Sequence, residues 1–182
     1  MAWTEQHKIQ SRERIVDSAA QLFTQKGFDS VSIDEVMQLA GLTRGAFYAH
    51  FKNKAELYQY AIIAGAKQAK VVLERADNFD APSMAEHYLR IGDANNPSSF
   101  CPLAFFVTDM TQRDSKIRNT YTQALKGYIE ILESMSLSPS KARQAAVMMI
   151  GGLALSRAIT DEVLRENLLQ SCLAGVRLLV EN

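Results

Sequence analysis

Apolar residues recur at spacings of three and four along almost the whole chain, and no stretch alternates apolar and polar residues with β-branched enrichment for long enough to read as a strand. Ile15, Ala19, Leu22 and Phe23 make one stripe, which predicts an amphipathic helix from Ser11 to about Lys26, stopped at Gly27. Ser32 and Glu35 form an S-x-x-E capping box before a short apolar face of Ile33, Val36, Met37 and Ala40, ending at Gly41. Thr43 is the expected N-cap of the next helix, with Phe47 and Phe51 four apart on its inward side. Two short helices joined by a three-residue turn containing glycine have helix-turn-helix geometry. Asn53 and Glu56 then launch a longer helix through Leu57 and Ala61 toward Arg75, and the first domain closes near Leu57.

The rest continues in the same period. Residues Asp77 to Pro82 read as a connector, and Ser83 with Glu86 as the cap of a helix running to about Ile91. The polar stretch 92–99 is the most loop-like of the chain. Pro102 then suits a first helical turn, with Leu103, Phe106, Val107 and Met110 along one face. Ile117, Tyr121, Leu125, Tyr128, Leu132 and Met135 mark a helix of about five turns. Ser138 and Pro139 open another, apolar almost all round from Gln144 to Ser156, where Gly152 and Ser156 allow close backbone approach. Leu164, Leu168, Cys172, Val176 and Leu179 line the last. The expectation is an all-α chain of about nine helices, divided at 1–57 and 58–182.

Composition narrows the function. The 182 residues are 47% hydrophobic, enough for a real core, and the formal net charge is zero. Residues 1–60 hold seven Lys or Arg (8, 12, 14, 26, 44, 52 and 54) and seven Asp or Glu (5, 13, 17, 29, 34, 35 and 56), so any nucleic-acid contact must come from local placement. Cys101 and Cys172 lie far apart without metal-ligand spacing. The polar N-terminus does not resemble a signal peptide, and the longest charge-free run is too short to span a bilayer, so a cytoplasmic protein without membrane contact is expected. No catalytic triad, glycine-rich phosphate loop or metal-ligand set stands out. An enzyme is therefore disfavoured, and no cofactor or metal is expected.

The segment 40–57, AGLTRGAFYAHFKNKAEL, carries the chemistry. A helix beginning at Thr43 presents Thr43 and Arg44 from its N-terminal end. Gly45 and Ala46 let a backbone approach DNA closely, and a guanidinium at Arg44 has the geometry to read guanine. Tyr48 and His50 are expected on the outer surface as phosphate donors, and Lys54 beside a helix N-terminus suits a phosphate. The bland alternative is a helical interaction module without sequence-specific DNA binding.

This segment resembles the N-terminal domain of the tetracycline-repressor (TetR) family. The agreement runs from about Arg14 through LF at 22 and 23, GF at 27 and 28 and S-I-D-E-V at 32 to 36, on to Leu57. The resemblance implies a three-helix DNA-binding head on a helical body that binds a small molecule and dimerises through its last two helices. A repressor released from a pseudo-palindromic, double-stranded DNA operator by its effector follows from it. Thr43, Arg44, Gly45, Tyr48 and His50 fall on positions that face DNA in the family, Lys54 on a phosphate-contacting lysine, and Ser32 joins them as a candidate contact. In the body, Cys101, Phe105, Phe106, Met110, Tyr121, Tyr128 and Met149 have the composition of an apolar small-molecule site. Cys101 beside Pro102 looks like the cysteine with which some similar proteins sense electrophiles or oxidants; buried, inert thiol is the plainer reading. The apolar surplus of the last two helices, around 147–155, suits a four-helix interface between two copies.

Overall fold

The computed structural model describes residues 5–74, 80–90 and 101–181, and the regular structure among them is entirely helical. Ten helices follow in order: α1 (Glu5–Lys26), α2 (Ile33–Leu39), α3 (Arg44–Phe47), α4 (Lys54–Glu74), α5 (Ala81–Arg90), α6 (Pro102–Phe105), α7 (Val107–Met110), α8 (Ser115–Ser134), α9 (Pro139–Ala158) and α10 (Glu162–Glu181). The expected helix ends at Arg75 and Ile91, the first part of the expected connector (77–79) and the loop 92–99 lie outside the described residues.

Two apolar cores organise these helices. The first gathers Ile15, Ala19 and Phe23 of α1, Val36 and Met37 of α2, Phe47, Phe51, and Leu57, Tyr58, Ala61 and Ile62 of α4. The second joins α5, α6 and α8 to α10, with Tyr88, Leu103, Leu132, Met149, Leu153 and Val176 at its centre. The head core does not stop at Leu57. It continues two turns up α4 and takes Phe106, Met110 and Ile117 from the body.

Three elements differ from the sequence reading, each for a local reason. Helix α1 begins at Glu5 instead of Ser11, because residues 5–10 contain no breaker and Glu5 favours the positive helix end. Those residues are exposed, so they carry no apolar stripe to announce them. Helix α5 is capped by Asp80, whose Oδ1 accepts the Ser83 amide at 2.8 Å, so Ser83 sits inside the first turn. The expected helix after Cys101 breaks at Phe106 (φ −100°, ψ −2°) into α6 and α7. The break lets neighbouring residues serve different cores. Leu103 and Ala104 pack into the body, while the Phe106 ring turns to the head, 5.0 Å from Tyr58.

Small residues let α9 and α10 approach closely. A Cβ on Gly152 of α9 would fall 2.6 Å from Cys172 Sγ of α10, and one on Gly175 of α10 would fall 2.5 Å from Met148 Sδ of α9. The close approach expected at Gly152 is thus present, and Cys172 packs into it.

Candidate nucleic-acid interface

The α2–α3 unit is fastened at every corner. Ser32 Oγ accepts the Glu35 amide at 3.1 Å and Glu35 Oε2 accepts the Ser32 amide at 2.8 Å, which completes the capping box. Those bonds, with Lys26 at 2.9 Å, pull the Glu35 carboxyl down to about 2. At the other end Gly41 takes φ +64°, a conformation costly for other residues, and the Arg14 guanidinium donates to the Ala40 carbonyl. A Cβ on Gly41 would stand 2.8 Å from Arg14 Nη2. Regular helix in α3 lasts one turn, and the His50 and Phe51 amides then both donate to Phe47 O at 2.9 Å. Phe47 and Phe51, both buried, anchor this turn to the head core.

What faces outward is a small polar surface. Thr43 occupies the N-cap position with β-region backbone, yet its hydroxyl makes no capping bond, and it is exposed. Arg44 is exposed and its Nη1 lies 2.7 Å from Asp34 Oδ2 of α2. Tyr48 is 60% exposed, with its ring edge-on to Phe47. Gly45 is exposed, and a Cβ there would meet nothing within 4 Å. The fold itself therefore gives no reason for glycine at that position.

Ser32, His50 and Lys54 stand differently from the other candidates. The Ser32 hydroxyl is exposed but committed to the cap, also donating to Glu35 Oε2 at 2.9 Å. His50 is partly buried instead of lying on the outer surface, because its ring packs beside Phe51. Among the described residues its buried Nδ1 has no hydrogen-bond partner. Burial, then the charges of Lys8 and Arg12, push the imidazole below its ordinary value. Lys54 is held inside the chain: its ammonium donates to Phe28 O at 2.8 Å and Val31 O at 2.9 Å, and lies 4.3 Å from the Phe28 ring centre.

Residues 15–61 match the family model described as bacterial regulatory proteins, tetR family. The transcriptional regulator AcrR of Shigella flexneri is 46% identical over 55 residues, 30% of this chain and 26% of that protein. The transcriptional repressor BepR of Brucella suis is 33% identical over 115 residues, 62% of this chain and 51% of that protein. Each matched stretch thus spans about half or less of these two relatives. Over residues 15–61 the chain is thus similar to the DNA-regulator domain of that family. Beyond the head, the likeness is one of fold. A TetR-family regulator from Cytophaga hutchinsonii superposes with a TM-score of 0.74 at 19% identity, covering 93% of this chain and 94% of that one. The reduced form of E. coli NemR gives 0.73 at 16%, covering 91% and 94%.

The seven candidate effector residues are divided between the two cores. Cys101, Tyr128 and Met149 belong to the body core and Phe106 and Met110 to the head core, while Phe105 and Tyr121 touch both. The reason is the break at Phe106, invisible to a reading that continued one helical face through it. Around Cys101 a compact set does form. Tyr88 donates to its sulfur at 3.0 Å, Tyr121 donates to Leu103 O at 2.6 Å, and Tyr128 reaches Met149 Sδ at 3.5 Å. Cys101 is at the N-cap of α6 as expected, but it is 1% exposed and burial outweighs the hydrogen bond from Tyr88, so its thiol is pushed up. Among the described residues there are surface troughs of about 620 Å³ between α5 and α10 and about 430 Å³ beside Arg143 and Val147. None of the seven candidates lines either one.

Residues that periodicity did not single out hold the head together. Arg14 closes α2, and Arg12 lies 4.0 Å over the Tyr60 ring and 5.0 Å from that of Phe51. Their spacing on α1 gave no signal, since each acts through residues more than 25 positions away. Among the described residues no helix is long and apolar enough to cross a membrane.

Proposed function

We propose that the chain is a homodimeric transcriptional repressor whose two α3 segments enter successive major grooves of a pseudo-palindromic operator, and that a small molecule bound in the body releases it. The observation that carries this reading is Gly45. A glycine in a helix costs roughly 0.5–1 kcal/mol against alanine, and no neighbour within the chain requires it here. Its benefit then lies outside the chain, in a surface that must come close to the backbone between exposed Thr43, Arg44 and Tyr48.

Dimerisation is supported by α9 and α10. Val147 is 72% exposed, Leu155 56% and Leu164 53%, and Gly151 lies between the first two in an i, i+4, i+8 stripe. A second copy of the same face covers them and supplies the second head at a fixed spacing. The effector acts by favouring a conformer whose heads are wrongly spaced, and differential affinity of a few kcal/mol suffices for the switch. With Cys101 kept as a buried thiol, the effector reading favours a molecule that packs among Tyr88, Tyr121 and Tyr128 over one that alkylates or oxidises the sulfur. As a regulator of genomic operators the protein acts in the cytoplasm.

In vitro selection of DNA by the purified protein tests the reading. A two-fold symmetric consensus is expected, and Arg44→Ala should relax preference at one position in each half-site by about 1–3 kcal/mol. Absence of any consensus at moderate salt would sink it.

A further inference from the structure

The turn between α1 and α2 is gripped from two sides. From α4 comes Lys54, on the carbonyls of Phe28 and Val31. From the body comes Arg113, which lies between α7 and α8. Its side chain is 10% exposed, and its fork donates to Asp29 Oδ2 at 2.6 Å and Oδ1 at 3.1 Å. The same guanidinium donates to Asp109 at 3.3 Å and stacks 4.6 Å from the Phe28 ring centre. The other oxygen of Asp109 accepts the Tyr58 hydroxyl at 2.7 Å.

An ion pair between two exposed, mobile side chains contributes little. This pair differs on one side only: Asp29 is 76% exposed, whereas Arg113 is fixed by Asp109 and Phe28 before Asp29 docks. A planar, pre-oriented fork loses little freedom on taking a carboxylate with two parallel bonds. The contact joins positions 84 residues apart and ties the body to the turn that leads into the Ser32 cap.

We infer that Arg113 is a positioning residue for DNA recognition: by clamping Asp29 and Phe28 it fixes the angle at which α2 and α3 leave the body. The inference rests on the DNA-binding reading above. Cutting the clamp leaves the buried head core of Ile15, Phe23 and Phe47 untouched, but lets the head turn against the body. Each head then still binds a half-site, while two heads no longer match a full one.

The test compares wild type with Asp29→Asn, Arg113→Gln and the double variant of the full chain, on the selected palindrome and on a single half-site. Each single change should weaken full-site binding roughly fivefold or more and half-site binding by less than about twofold, with the double variant no weaker than Arg113→Gln alone. Full-site and half-site affinity falling together, unchanged full-site affinity, or additive effects would each overturn it. Because Asp29 is exposed, Asp29→Asn is expected to fold even if Arg113→Gln does not. Amide hydrogen exchange without DNA gives the second readout: faster exchange at 28–40 in Asp29→Asn with α1 unchanged supports the clamp, and unchanged exchange retires it. A wild type that selects no DNA sequence retires the DNA reading on its own, and the exchange result still decides whether the clamp exists.

Discussion

At Gly45 stability and binding should move in opposite directions. Replacing it by alanine adds a methyl group into open space on a helical turn, so the free protein should gain about 0.5–1 kcal/mol, seen as a rise in thermal midpoint. Operator affinity should fall by tenfold or so, about 1.4 kcal/mol, as the methyl holds the backbone off the groove. A variant that is more stable and binds equally well would remove the main support for α3 as the reading element. His50 makes a pH-dependent prediction. Its folded-state value lies below the unfolded one of about 6.5, so neutral His50 costs nothing above that pH, and stability falls as pH drops below it because the unfolded chain takes up the proton first. His50→Gln should flatten the loss of thermal midpoint between about pH 6.5 and 5. An identical slope in both proteins would assign the pH dependence elsewhere. Of these residues the exposure of Gly45 was legible in the sequence, because it follows Thr43 and Arg44 at the polar start of a short helix and needs no tertiary knowledge. The sequence did not show the contacts of His50 and Lys54 within the chain, the Phe51 ring and the carbonyls of Phe28 and Val31, because these are set by three-dimensional packing.

Among the elements, α2 was legible in full, because a capping box and a terminal glycine are local signals that the backbone obeys on the spot. The start of α1 and the break between α6 and α7 were not. An exposed helical turn has no periodicity to read, and the break at Phe106 answers a demand from two cores that meet only in the fold. The α9–α10 pair was readable on its packed side, where Gly152 and Gly175 admit Cys172 and Met148, and its outer side carries the prediction. Val147→Glu places a charge in the centre of the exposed stripe without disturbing the monomer core. Sedimentation should show a dimer for wild type and a monomer for the variant, with thermal stability of the variant at high dilution close to that of wild type at the same concentration. A variant that remains dimeric would place the interface on another face.

For the whole molecule the decisive quantity is how few cations are free to meet DNA. Net charge is zero, and the head balances seven basic against seven acidic residues. Arg44 already faces Asp34, and Lys54 is held by backbone carbonyls. DNA phosphates can compete for Arg44, whose pair with Asp34 is exposed, and Lys52 is exposed just after α3, so a dimer offers about four cations, and log affinity should fall with log salt at a slope of about −4. Binding to unrelated DNA should be correspondingly weak at physiological salt, so occupancy depends on having both heads in register. The Val147→Glu monomer should therefore show about half the slope and lose most of its operator affinity, while Lys54→Met should lower head stability and leave the slope unchanged. Titrations of both variants across a salt series decide this. A wild-type slope near −10 would reveal a broad cationic surface that the balanced charge does not supply, and a Lys54→Met slope reduced by one unit per head would return Lys54 to the phosphates.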